Sequence, residues 1–173
     1  MLITEEYREL NRQLHECRPD YGIWGHKWNT IVTEIARDCH GNILDYGAGK
    51  GTLNVPGRTM IRYDPAVPEW SASPEPAALV VCTDVLEHIE PECIEAVLDD
   101  LHRVTLDRLF FVIAKGTAKK DLPDGRNAHL IQQPWTWWKP LIEARFKLLW
   151  ASVFKHEIRG IAASLANQGL PHA

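Results

Sequence analysis

The chain has 173 residues, of which 45% are hydrophobic and 24% charged, and its formal net charge is −4. This length supports one hydrophobic core, so we expect a single domain over residues 1–173. The mild negative charge argues against a broadly basic nucleic-acid-binding surface, although it leaves room for a local basic patch. Because no apolar stretch has the length of a membrane span and the N-terminus does not resemble a signal peptide, we expect a cytoplasmic protein without membrane contacts.

Two helices are predicted in an N-terminal cap, residues 1–41. Thr4 is a suitable N-cap for a helix that runs to about Glu16. A second helix is predicted over residues 26–40, where apolar residues recur at helical spacing. Residues 19–25 contain one proline and two glycines and therefore predict a loop between the helices.

Strands and connections alternate through the remainder of the chain. The predicted strands cover residues 42–46, 59–63, 78–83, 108–114 and 147–154, and further helices are predicted from Pro91 and near Trp135. This alternation predicts an α/β fold with a doubly wound, mostly parallel, Rossmann-like sheet whose core spans residues 42–154. Residues 155–173 are expected to hold a strand or a helix and a tail, with a strand favoured over residues 158–165.

The four cysteines are widely spaced and contain no C-x-x-C pair. At least Cys82 falls in a strand that is predicted to be buried. This pattern favours free thiols over a disulfide framework or a zinc knuckle.

The most informative segment is the sequence ILDYGAGKG, residues 43–51, in which a predicted strand runs into D-x-G-x-G-x-G. Alternating glycines allow the backbone to approach a ligand closely, and ligands bind such sheets at the carboxyl ends of strands. The spacing differs from the dinucleotide fingerprint G-x-G-x-x-G. Asp45, which precedes the glycines, would repel a pyrophosphate and suits a cationic ligand.

Two later apolar runs also end in acids, IRYD at residues 61–64 and VVCTDVLEH at residues 80–88. Together with the glycine loop, they resemble the cofactor-binding half of class I S-adenosylmethionine-dependent methyltransferases, over about residues 43–154. The resemblance implies an enzyme that binds S-adenosylmethionine and transfers its methyl group by in-line displacement to an oxygen or nitrogen acceptor. That acceptor is a small molecule or a macromolecule, and the protein looks like a small bacterial or phage member of the class.

The same resemblance assigns the cofactor contacts. Asp64 is expected to accept hydrogen bonds from a ribose diol, while Gly47 and Gly49 pass against the amino-acid and ribose portions of the ligand. Gly51 is expected to serve close packing. The predicted cofactor-binding residues are Asp45, Tyr46, Gly47, Gly49, Gly51, Asp64, Pro65, Thr83, Asp84 and Val85.

The chain departs from the family pattern in two connections. Residues 52–58, which include Pro56 and Gly57, leave room for only a turn where family members place a helix. Residues 65–76 contain four prolines and predict a loop where a third strand would lie. We therefore expect a trimmed sheet, with a short or missing helix after the first strand and without the third strand.

The catalytic candidates are Glu87, His88 and His129, which follow predicted strands at the carboxyl edge of the sheet. One interpretation makes them acid–base or positioning groups for the acceptor, and no metal is assigned to the site. A second has them bind a divalent metal, as in RNA 2′-O-methyltransferases that the segment also resembles, although Asp84 stands where those enzymes carry Glu. A third has the histidines only hold loops by hydrogen bonds. A non-catalytic methyltransferase-like binding or partner module is the remaining alternative.

Several aromatic residues have alternative interpretations. Trp135 and Trp138 share a helical face and are expected to pack on the sheet. Trp137 is either core packing or a wall of the acceptor pocket. The loop around Tyr21 is either a lid over the cofactor or plain surface, and Trp70 either covers the adenine or packs locally.

Overall fold

The computed structural model describes residues 1–165. The predicted C-terminal tail, residues 166–173, lies outside this part of the chain. Its helices are α1 (Glu5–Cys17), α2 (Asn29–Ala36), α3 (Ile94–Val104) and α4 (Trp135–Glu143). Its strands are β1 (Ile43–Tyr46), β2 (Met60–Tyr63), β3 (Ala77–Thr83), β4 (Thr105–Ala114), β5 (Phe146–Val153) and β6 (Glu157–Ser164). Within these described residues, no helix has the length and apolar character needed to cross a membrane.

The six strands form one sheet in the order β2-β1-β3-β4-β6-β5. The first four strands in this order are parallel, and β6 lies antiparallel between β4 and β5. Strand order reverses between β1 and β3, which makes the carboxyl ends of these two strands the expected position of a ligand crevice. The predicted doubly wound, mostly parallel sheet is confirmed. Because β6 pairs inside the sheet, the core extends to Ser164 and does not end at residue 154.

The predicted trimming of the sheet is also confirmed. Residues 47–59 connect β1 to β2 through turns, and a single 3₁₀ turn at Pro68–Trp70 lies between β2 and β3. Leu53 and Val55, in the first of these connections, are buried in the hydrophobic cluster that also contains the buried residues of α2. These two side chains therefore cover the part of the sheet face that a helix would otherwise cover.

The second N-terminal helix is shorter than predicted. A 3₁₀ turn at Trp24–Trp28 precedes α2, which ends four residues before the expected His40. The guanidinium of Arg58 donates hydrogen bonds to the carbonyl oxygens of Ala36, Cys39 and Gly41. A distant side chain thus satisfies carbonyl oxygens that have no intrahelical partner where α2 ends.

The face of the sheet opposite α2 is covered by α3 and α4. Trp138 is completely buried there, and Trp135 stacks on Phe111 with ring centroids 6.2 Å apart, as expected for both residues. Trp137 also packs against this core and meets Trp138 edge to face. All four cysteines are free, and Cys82 is buried in β3 as predicted.

Candidate functional site

Asp45 lies at the carboxyl end of β1 and is only 4% exposed. Its Oδ2 atom has no hydrogen-bond partner, and the strand register places Arg62 of β2 beside it. Burial raises the pKa of Asp45 to about 7; Arg62 opposes this rise in pKa, and the neighbouring Asp64 adds to it. A buried carboxylate with an unused oxygen is a natural position for a cation or a hydrogen-bond donor.

The backbone amides of the glycine loop are all engaged within the protein. Those of Gly47 and Ala48 donate to the carbonyl oxygen of Tyr63, at 2.7 and 3.0 Å. The next three amides, those of residues 49, 50 and 51, donate to Asp64 Oδ2, Gly22 O and Ala48 O respectively. The loop therefore offers no free N–H group to a phosphate, unlike the anion-binding loops of nucleotide sites.

The glycines themselves are required by protein neighbours. A Cβ on Gly47 would lie 2.3 Å from the Val85 side chain, and one on Gly49 would lie 2.7 Å from the carbonyl oxygen of Gly22. These protein contacts alone require glycine at both positions, and the expected approach of the two residues to the ligand stays a prediction. Gly51 packs in the same way, since its Cβ would lie 2.6 Å from Nε of Arg62.

Asp64 follows β2 and is held from two sides. Its Oδ2 accepts from the amide of Gly49 at 2.9 Å, and its Oδ1 accepts from the amide of Ala66 at 3.0 Å, across Pro65. The side chain is 8% exposed, and each carboxylate oxygen keeps a further lone pair. Pro65 and Ala66 line a cavity of about 460 Å³ that opens between this turn and the start of α1.

Trp70 lines a second cavity, of about 330 Å³, together with Gly49, Lys50 and His15. The guanidinium of Arg62 lies 5.4 Å from the centre of its ring. The backbone carbonyl oxygen of Trp70 accepts from the amide of Asp64. Trp70 thus packs against the strand that carries the acid and also faces a space beside the glycine loop.

The residues around Tyr21 close over the glycine loop. The carbonyl oxygen of Gly22 accepts from the amide of Lys50 at 2.8 Å. Tyr21 is half-buried; desolvation raises the pKa of its hydroxyl, and the nearby charges of Asp64 and Glu87 add to the rise. His15 of α1 contacts Tyr21 edge to face, and its Nδ1 is buried without a partner. Sequence reasoning missed His15, because nothing in the helical pattern of α1 indicates which residue meets the loop.

The segment after β3 is anchored beside the same loop. Asp84 has a φ of 55°, unusual for a residue other than glycine, and its amide donates to the carbonyl oxygen of Val112. Its carboxylate forms a 3.1 Å ion pair with Lys27, which ties the Trp24–Trp28 turn to the site. Thr83 pairs with Val112 at the end of the strand ladder.

Tyr46 does not direct its side chain to this site. Its hydroxyl donates to Asp100 of α3 at 2.9 Å, and its ring packs against Tyr63 within the core. Burial raises its pKa far above the usual range. Only its backbone remains at the predicted cofactor position.

Glu87, His88 and His129 are brought together, although 40 residues separate the two histidines in sequence. One ligand atom from each lies within 4.8 Å of those of the other two, and the imidazole centroids are 4.8 Å apart. Glu87 is completely buried; its Oε1 accepts from the amide of Ala114 at 2.9 Å, and its Oε2 has no partner. The three catalytic candidates therefore form one cluster at the carboxyl ends of β3 and β4.

Burial perturbs the protonation of this cluster. The pKa of Glu87 is raised to about 8, mainly by burial and in smaller part by the charge of Asp84. The pKa of His88 is lowered to about 3, mainly by burial and in smaller part by the charge of His129. His88 is therefore neutral at physiological pH. In this form one ring nitrogen donates a hydrogen bond and the other can accept one, but the low pKa makes the ring a weak base.

The loop that carries His129 is ordered by Asn127. The side-chain amide of Asn127 donates to Ala118 O and Asp121 Oδ1, and its Oδ1 accepts from the amides of Ala118 and His129. The carbonyl oxygen of Glu87 accepts from the amide of Ile131, which joins the far end of this loop to the β3 turn. These bonds fix His129 opposite His88.

No protein-family model and no curated protein sequence matches this chain. Solved structures share its fold at low identity. The 1,6-didemethyltoxoflavin-N1-methyltransferase of Burkholderia thailandensis, with bound 1,6-didemethyltoxoflavin and S-adenosylhomocysteine, gives a TM-score of 0.66 at 14% identity, covering 95% of this chain and 91% of that one.

Two further structures are similar. Magnesium protoporphyrin IX methyltransferase from Synechocystis PCC 6803, with bound S-adenosylhomocysteine, gives a TM-score of 0.62 at 15% identity over 92% of this chain and 97% of that one. An N-methyltransferase from Bradyrhizobium japonicum WM9, also in complex with S-adenosylhomocysteine, gives 0.61 at 12% identity over 94% and 100%. The protein therefore has the fold of class I S-adenosylmethionine-dependent methyltransferases.

Proposed function

We propose that this protein binds S-adenosylmethionine at the carboxyl ends of β1 and β2 and catalyses methyl transfer to an oxygen or nitrogen acceptor. The observation that carries the proposal is the unused, buried Oδ2 of Asp45 at the head of a loop whose amides are all engaged. Such a site has nothing to offer a phosphate but fits an ammonium group. The solved structures of the same fold with bound S-adenosylhomocysteine support this choice of ligand.

Asp64 is the second binding group in the proposal. Its two backbone hydrogen bonds fix the carboxylate, and the remaining lone pairs can accept from a ribose diol. Each hydrogen bond to a charged acceptor contributes roughly 1.5–3 kcal/mol. The segment at Tyr21 and Gly22 packs over the glycine loop and would exclude water from a bound ligand, in the manner of a lid.

The bound cofactor supplies an activated methyl group, so the residues of this chain need only align the acceptor and remove its proton. Holding the reactants in a productive orientation can lower the activation free energy by roughly 7–11 kcal/mol. His88 is neutral and is held in one orientation by its contact with Ala128, so its free nitrogen can accept a hydrogen bond from the acceptor. Glu87 and His129 lie within reach of the same position.

A second candidate function is metal-assisted methylation of a ribose hydroxyl in RNA. It is favoured by the clustering of Glu87, His88 and His129, the three residues that this alternative requires. The net charge of −4 gives it no support, because nucleic-acid binding usually draws on a basic surface. We therefore rank it below methylation of an acceptor of unspecified class.

Isothermal titration with S-adenosylmethionine tests the proposal directly. We expect one site per chain, with affinity reduced roughly 10- to 100-fold in Asp64→Ala and in Asp45→Asn. Asp38→Asn is the matched control, because its carboxylate is 75% exposed and lies near Arg108, outside the predicted motifs. If the folded wild-type protein shows no binding, or if Asp64→Ala binds like wild type, the proposal is wrong.

A turnover assay separates an enzyme from a binding module. S-Adenosylhomocysteine formation would be measured after adding fractionated small molecules or RNA to the protein and the cofactor. The proposal expects at least one fraction to give turnover that Asp64→Ala abolishes. Tight binding without turnover in any fraction would favour the non-catalytic alternative.

A further inference from the structure

The two edge strands of the sheet, β2 and β5, differ in their protection. β2 has only four residues, and Trp70 covers its end, where the Trp70 carbonyl oxygen accepts from the amide of Asp64 and the ring packs against Arg62. β5 has eight residues, and β6 is its only strand neighbour within residues 1–165. The outer edge of β5 therefore presents a row of backbone N–H and C=O groups that no strand of the described chain pairs with.

The side chains of β5 do little to discourage another strand. The strand contains no proline and one charged residue, Lys147, although prolines and charges are the usual protection of an edge. Leu149, Trp150, Val153 and the following Phe154 are each 40–50% exposed. They make up half of the eight large hydrophobic residues that are exposed in the described chain, and they fall within six positions. Exposed apolar residues that cluster in this way mark an interaction site, whereas scattered ones do not.

A β-bulge determines the faces on which these side chains lie. The register with β6 shifts between Leu148 and Trp150, so Leu149 is an extra residue without a partner on β6. Lys147, Trp150 and Ser152 pair with residues 163, 161 and 159 of β6, which share one face because side chains alternate along a strand. Before the bulge this face carries odd-numbered residues of β5, and after the bulge it carries even-numbered ones.

We propose that β5 pairs with β5 of a second copy of this chain, antiparallel and about a two-fold axis between Leu149 and Trp150. Residues that lie opposite each other in such a pair must share a face of the sheet. The change of faces at the bulge meets this condition, because Lys147 of each copy then lies opposite Ser152 of the other. Leu149 lies opposite Trp150, and the remaining opposed pairs, residues 146 with 153 and 148 with 151, are apolar. No like charges meet, and the two six-stranded sheets become one.

A second copy fits this edge better than a helix or a loop of another protein. A row of alternating backbone donors and acceptors is satisfied by a strand, and addition of a strand to an open edge is a recurring mode of recognition. Each copy brings the same open strand, so one two-fold contact satisfies both edges at once. Such isologous dimers are the commonest oligomers.

The exposed area indicates a weak dimer. A complete aromatic side chain buries roughly 150–250 Å², so the four half-exposed side chains offer about 300–400 Å² per chain. Stable interfaces bury about 800 Å² per partner, which places this contact at the small end of specific interfaces even with the backbone of β5 added. We therefore expect a dissociation constant of about 1–100 μM. The association needs neither cofactor nor acceptor, so it is independent of the proposed methyl transfer.

Sedimentation equilibrium of the full chain at about 1–200 μM, without cofactor, tests the proposal. We expect the mass to rise with concentration from that of one chain, 19.7 kDa, towards twice this value. Leu149→Lys should weaken dimerisation at least about 30-fold, because it places a charge against Trp150 of the second copy. The matched control is Leu106→Lys, which should leave dimerisation unchanged. Leu106 is 47% exposed, close to the 49% of Leu149, but it lies on β4.

Ser152→Glu tests the register through a gain in affinity. It places a carboxylate opposite Lys147 of the second copy, twice in each dimer, and should strengthen dimerisation roughly 2- to 30-fold. Adding Lys147→Glu should reverse this gain, because like charges then lie opposite each other.

Three results would overturn the proposal. One is the mass of a single chain at every concentration. Another is an equal effect of Leu149→Lys and Leu106→Lys, which would separate association from the β5 edge. The third is unchanged or weaker dimerisation of folded Ser152→Glu, which would exclude the register. Circular dichroism identifies any loss of folding, and Ser152→Glu keeps the pairing testable if Leu149→Lys does not fold.

Discussion

The protonation of Asp45 provides the sharpest test of the site, and the variant is Asp45→Asn. The pKa of this carboxyl is about 7 in the folded protein and about 3.8 in an unfolded chain. Between these values the folded state keeps a proton that the unfolded state has lost. The free energy of unfolding of the wild type therefore falls as pH rises through this window, and the loss reaches about 4 kcal/mol above pH 7.

Asparagine has nearly the same shape but does not ionise, so the variant lacks this pH-dependent loss. Linkage gives a loss of about 2 kcal/mol in the wild type at pH 5 and about 4 kcal/mol at pH 8. The stability of Asp45→Asn relative to wild type should therefore improve by about 2–3 kcal/mol between these two pH values. Any fixed cost of burying the new amide group cancels in this comparison.

Urea denaturation at pH 5, 6, 7 and 8, with Asp38→Asn as the exposed control, measures the difference. The control should show no trend over this range. If the stability difference between Asp45→Asn and wild type is the same at pH 5 and pH 8, Asp45 is ionised throughout, and the argument from its burial fails. The trend is measured without any ligand, so it tests the electrostatics of the site separately from the proposed cofactor.

Three further variants test other features of the structure. Gly47→Ala places a Cβ 2.3 Å from the Val85 side chain, at a backbone φ of 79°. This variant should lower the free energy of unfolding, measured in urea, by about 1–3 kcal/mol. Adding Val85→Ala should restore part of that loss. Trp138→Ala, which empties a fully buried position, should cost about 3–5 kcal/mol by the same measurement, and a smaller loss would mean that α4 collapses into the space. Asn127→Ala removes four hydrogen bonds and should lower the free energy of unfolding by about 2–4 kcal/mol. Hydrogen exchange should become faster at the His129 amide, while the amides of the sheet stay protected.

The sheet could be predicted because its signals are local. Apolar runs that end in an acid mark β1, β2 and β3, and prolines within the connections forbid the helix and the strand that are absent. The candidate acids Asp45 and Asp64 could be placed at strand ends because each follows a local apolar run in the sequence. In parallel strands, position along the chain alone determines which edge of the sheet a residue reaches.

The parts that were missed depend on contacts between distant residues. The end of α2 is determined by Arg58, which lies 22 residues after the last helical residue, Ala36. His15 of α1 lines a cavity with Gly49 and Lys50 of the glycine loop, and the side chain of Tyr46 turns to Asp100, 54 residues away. A pattern of burial predicts that such a side chain is inside, but it does not say which partner the side chain meets.

The missing helix after β1 also determines how the amides of the glycine loop are used. A helix at this place would present its N-terminal amides and the positive end of its dipole to the ligand, which favours anions. Here the amides of residues 47–51 are used by the Tyr63 carbonyl, Asp64, Gly22 and the loop itself. The charged side chains at the loop are the acids Asp45 and Asp64, together with Arg62 on the neighbouring strand and Lys50 within the loop. The short crossover therefore leaves no unpaired amide in residues 47–51 for an anion, and it leaves the Tyr21 segment, rather than a helix, packed over the loop.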